Sequence, residues 1–100
     1  MKIKINKKEY NFKYTLRAIF IFEKITDKPF KIETIMDNYL FYYSIILANN
    51  MDNPIEWDEF IDAIDNDPKI FEKLTKYVEK ENRRDELFSD DSEKDNSKKK

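Results

Sequence analysis

The chain of 100 residues contains no cysteine, no histidine and no glycine. Without cysteine there is no disulfide, no thiolate zinc site and no thiol nucleophile. Without histidine the commonest general base and the commonest metal ligand are missing. Without glycine the Gly-rich phosphate loops and the usual nucleophile elbow are excluded. Carboxylate chemistry alone stays open. Long apolar runs are also scarce. The longest, Tyr39 to Ala48, is interrupted by Ser44 and is too short to span a membrane. Around Lys2, Lys4, Lys7 and Lys8 only short apolar steps occur, with no apolar core of a signal peptide.

What is present is charge, at 40% of residues, beside 40% hydrophobic and 15% aromatic residues. That apolar share argues for a packed core, and the length for one domain. The net charge of −2 hides an uneven distribution. Residues 1–31 hold nine basic and three acidic side chains, so +6. Residues 32–68 hold nine acidic and no basic ones, so −9. Residues 69–100 hold ten basic and nine acidic ones, so +1. Such blocks predict distinct charged surfaces and not a nucleic-acid-binding domain.

The pattern predicts an α+β, mainly α fold. An N-terminal β-hairpin precedes a bundle of about four helices and a disordered C-terminal tail. Residues 2–14 alternate, with Ile3, Ile5, Tyr10, Phe12 and Tyr14 on one face and lysines between them. Pairing Ile5 with Tyr10 and Ile3 with Phe12 leaves Asn6–Glu9 as a four-residue turn. A two-residue turn at Asn6-Lys7 also fits, with positive φ required at Lys7.

Helices are expected at about 16–26, 34–49, 57–64 and 68–86. Thr15 offers an N-cap for the first, with Leu16, Ile19, Phe22 and Ile25 as its stripe. Asp27 or Lys28 must then end it where glycine would be usual. Thr34 with Asp37 is a short relative of the capping box. The helix it starts is apolar all round, so it is either a central core helix or one with a partner-facing side. Asp67-Pro68 is a strong start signal for the last helix. A single domain at 1–88 and a disordered charged tail at 89–100, SDDSEKDNSKKK, complete the reading.

Sites with chemistry are few. The acidic stretch Asp52–Asp67 lacks the glycine and the ligand spacing of a calcium loop. Glu23, Asp37, Asp58 and Asp62 could supply a carboxylate pair, but their spacing selects none. The basic strands put lysines and aromatics on opposite faces, unlike a base-stacking surface. No catalytic, cofactor-binding or metal-binding residue emerges. Tyr39, Tyr42, Tyr43 and Trp57 are the candidates for protein binding, as aromatics on helices with surplus apolar surface, the second helix above all.

Thr15-Leu16-Arg17-Ala18 followed by Phe22-Glu23-Lys24-Ile25-Thr26-Asp27-Lys28 resembles a T-x-R-A-x-x-x-F-E-K-I-T-G-K-like stretch. That stretch follows a short hairpin in the tail assembly chaperones of long-tailed bacteriophages. The resemblance spans about residues 1–80 and departs at Asp27 and Lys7, where glycine would suit both turns. It implies a non-enzymatic, cytoplasmic protein of phage-infected or lysogenic bacteria, absent from the mature virion. It further implies binding to the tape measure protein, which is kept soluble, and recruitment of tail tube subunits during tail morphogenesis. Neither nucleic acid nor membrane is an expected partner, and self-association into a homo-oligomer stays open. The alternative, drawn from the −9 block, is an acidic interaction module or nucleic-acid mimic acting on a basic partner.

Overall fold

In the computed structural model the described residues are 1–81. Strands β1 (Lys2–Ile5) and β2 (Lys8–Asn11) form an antiparallel hairpin. Four helices follow: α1 (Leu16–Thr26), α2 (Ile35–Asn49), α3 (Trp57–Asn66) and α4 over residues 69–81. The expected hairpin-then-helices architecture is therefore the one observed. The expected extension of the last helix to residue 86 and the expected tail at 89–100 lie outside the described residues.

Alternation works in the hairpin as the sequence predicts. Ile3, Ile5, Tyr10 and Phe12 are buried under the helices, while Lys2, Lys4 and Lys8 are exposed. The register corrects the four-residue turn. Ile3 pairs with Tyr10 and Ile5 with Lys8, so the loop is Asn6-Lys7 alone. Both loop residues take positive φ, 53° and 69°, as in the primed two-residue turns whose twist matches the strands. The two registers differ by two residues and bury the same side chains, so hydrophobic pattern cannot separate them. The shorter loop adds ladder bonds. Phe12 N–H donates to Met1 O at 2.8 Å, and the Met1 amino group donates to Phe12 O at 3.2 Å. Asn50 then imitates a further strand. Its Oδ1 accepts from Asn11 N–H at 2.9 Å and its Nδ2 donates to Asn11 O at 2.8 Å.

Capping residues set the helix ends. Thr15 Oγ1 accepts from Ala18 N–H at 3.2 Å to open α1. Asp27 closes it in the left-handed conformation, φ 58°, with its N–H on Glu23 O at 2.8 Å. The expected stripe of α1 needs correction. Phe22 is buried and Ile19 half-buried as expected, with Ala18 also buried, whereas Leu16 and Ile25 are exposed. Steps of three fall about 60° short of each full turn, so Leu16 and Ile25 drift to opposite sides.

Thr34 and Asp37 form a complete capping box at α2. Thr34 Oγ1 accepts from Asp37 N–H at 3.0 Å. Asp37 Oδ2 accepts from Glu33 N–H at 3.0 Å and Thr34 N–H at 3.2 Å, and Lys28 Nζ lies 3.5 Å from its other oxygen. The Glu33 N–H, ahead of the other donors, holds this carboxyl below the usual range despite its burial.

Helix α3 runs two residues past its expected end at residue 64. Asp67, with φ −146° and ψ 85°, is the first residue that Pro68 forces out of helical geometry. Asp67 also starts α4, its carbonyl accepting from Ile70 N–H at 3.0 Å. The core joins Phe12 of the hairpin, Phe22 of α1, Phe41, Ile45 and Ile46 of α2, Phe60 of α3 and Leu74 of α4. Ile55, between α2 and α3, is also fully buried.

Candidate functional site

Helix α2 decides where the surface of interest lies, because it is apolar on both sides and only one side is fully buried. Phe41, Tyr42, Ile45 and Ile46 face the core. Met36, Leu40, Tyr43 and Leu47 fall on a separate stripe, four, seven and eleven residues from the first. This second stripe is the floor of an open groove of about 570 Å³. Ile25 of α1 forms one wall and Trp57 of α3 the other. An adjoining depression of about 350 Å³ shares Met36 and Trp57 and adds Ile35, Tyr39 and Ile61.

The lining carries no carboxylate, amine or amide side chain. Three of its aliphatic members are well exposed, Ile35 at 79%, Met36 at 57% and Ile25 at 44%, while Leu40, Leu47 and Ile61 are half-buried. A run of this kind at helical spacing is more than the scattered apolar side chains that any monomer shows. The groove is suited to burial of an apolar surface and holds no acid–base pair or nucleophile.

Three of the four aromatic candidates meet at the groove. Tyr39 stacks on Phe71 of α4 with ring centroids 4.6 Å apart and lines the smaller depression. Tyr43 meets Trp57 edge-on at 5.1 Å, and both line the larger one. The Tyr43 hydroxyl donates to Ile55 O at 2.7 Å, which locks the ring and uses its polar end. Tyr42 lies elsewhere. It is 3% exposed, sits in the core and donates to Thr75 Oγ1 at 3.1 Å. Burial pushes the Tyr42 and Tyr43 phenols up, helped at Tyr43 by nearby Glu56, so both stay neutral at ordinary pH.

Reading the sequence missed Ile25, Met36, Leu40 and Leu47 as groove residues. The spacing of Met36, Leu40, Tyr43 and Leu47 was the available signal. It was masked because most intervening positions of α2, Tyr39, Phe41, Tyr42, Ile45 and Ile46, are apolar too. The carboxylates weighed as acid–base candidates have structural work instead. Asp37 caps α2, and Glu23 Oε2 accepts from Phe30 N–H at 2.8 Å. Asp58 and Asp62 are exposed on α3. A second apolar patch, Leu16 and Phe20 on the outer side of α1, adjoins Arg17, whose Nη1 donates to Met51 Sδ at 3.2 Å.

Among the described residues no helix is long and apolar enough to cross a membrane, and no three acidic side chains cluster to hold a metal ion. No family model, curated protein or solved structure matches the chain.

Proposed function

We propose that this protein is a phage tail assembly chaperone whose α1–α2–α3 groove seats an amphipathic helical segment of the tape measure protein. It thereby keeps that protein soluble and helps to recruit tail tube subunits. The single observation that carries the reading is the partly exposed apolar stripe of α2, walled by Ile25 and Trp57. Helix-in-groove recognition needs such a floor of anchors at helical spacing. The likeness of residues 15–28 to the chaperone stretch names the client. Co-expression with the tape measure protein of the same phage should raise that protein's soluble yield. Met36→Asp with Leu40→Asp should remove the gain. An unchanged yield with the wild-type chain would sink the proposal.

A further inference from the structure

The groove's two walls differ in charge, and that difference bears on what lies in it. On α1, about 100° of rotation per residue carries the surface outward from the groove-lining Ile25 through Ile21 to Arg17 and Lys24. Both cations are exposed. The bond from Arg17 to Met51, four residues past Leu47, sets it beside the α2 C-terminal end of the groove. On α3, Trp57 and Ile61 line the two depressions. Asp58, Asp62 and Asp65 follow them one row further out, at helical spacing, all exposed. One rim is therefore basic and the other acidic, with an uncharged floor between.

Resting on the reading of the groove as a helix-binding site, we propose that its occupant is an amphipathic helix with a split polar face. Acidic residues flank its apolar stripe beside α1, and basic residues flank it beside α3. The floor from Met36 to Leu47 is about 17 Å long, which matches roughly three turns of such a helix. Turning a helix end for end exchanges its flanks. The rims therefore set the direction in which a given client segment lies. Acidic or basic flanks on both sides would each meet one like-charged rim.

Three synthetic helical peptides test this on the full-length chain. All share one apolar stripe. One has glutamine flanks, one has Glu and Lys flanks, and one has those flanks exchanged. A photo-crosslinker sits at each N-terminus. Both split peptides should bind about fivefold to tenfold more tightly than the glutamine peptide at low salt. The gap should close at 1 M salt, where screening acts within about 3 Å. The two split peptides should crosslink to opposite ends of the groove, near Met36 and near Met51. Reversing the acidic rim with Asp58→Lys, Asp62→Lys and Asp65→Lys should abolish the advantage of both split peptides over the glutamine peptide. Crosslinking of both split peptides to the same end, or equally to both, overturns the proposal while leaving helix binding intact. If no peptide binds, the glutamine one included, the groove reading itself fails. A dimer that the peptides do not dissociate also overturns it, because a second copy would hold the site.

Discussion

Replacing Lys7 by glycine is expected to stabilise this glycine-free chain. Lys7 holds φ at 69° in the two-residue turn. A left-handed residue with a Cβ costs about 1–2 kcal/mol relative to glycine's free access to that region. Glycine returns about 0.5–1 kcal/mol of that through the greater freedom of the unfolded chain. The net gain is about 0.5–1 kcal/mol, or roughly 3–6 °C in melting temperature for a domain of this size. Urea unfolding followed by circular dichroism measures it, with an unchanged slope confirming a stability effect. Three controls separate backbone from charge. Lys7→Gln removes the charge and keeps the strain, so it should move the midpoint little. Lys8→Gly, in a strand, should lose about 0.5–1 kcal/mol. Asn6→Gly should gain nothing, because asparagine tolerates φ 53° and its Nδ2 bond to Glu59 at 2.9 Å would be lost. If Lys7→Gly destabilises as much as Lys8→Gly, the two-residue turn is the wrong account of this loop.

The other expectations concern the helices and the groove. Thr34→Ala removes half of the capping box and should cost about 1 kcal/mol in urea unfolding. Tyr42→Phe deletes the hydroxyl bonded to Thr75 inside the core and should cost about 1 kcal/mol. Asp37 has a lowered folded pKa, so its contribution is full above the usual carboxylate range and is lost as pH falls through the lower value. Midpoints measured from pH 7 to pH 2 should show that loss, and Asp37→Asn should flatten it. Met36→Asp, at an exposed position, should change stability by no more than about 0.5 kcal/mol while weakening client binding.

The sequence disclosed most where a side chain acts on its own backbone. Thr15, Thr34 and Pro68 each act within three residues, and the starts of α1, α2 and α4 follow from them. It disclosed less where two answers bury the same atoms. The hairpin registers share parity, so the choice fell to turn twist and to the Met1–Phe12 bonds. Ile55 gave no local signal, because it lies between helices and is buried by a core drawn from distant elements, with its carbonyl accepting from the Tyr43 hydroxyl. The groove was half legible. Tyr39, Tyr43 and Trp57 stood out as aromatics, but a mostly apolar α2 shows little periodicity to mark which side stays open. Tyr42 shared their chemistry, and only the packing of α4 assigned it to the core.

The amide of Asn50 has a consequence for how this protein behaves beside sticky chains. A two-stranded sheet has two raw edges, and either could recruit a stray strand. On β2 the outward N–H and C=O of Asn11 are already taken by Asn50. On β1 the Met1–Phe12 pair exchanges both bonds, so the alternate residues Lys2 and Lys4 turn their amides outward. Any incoming strand there must approach two lysines. The outer edge of β2 is plugged at Asn11 and the edge of β1 is guarded by charge, so an extended chain finds little free template on the hairpin.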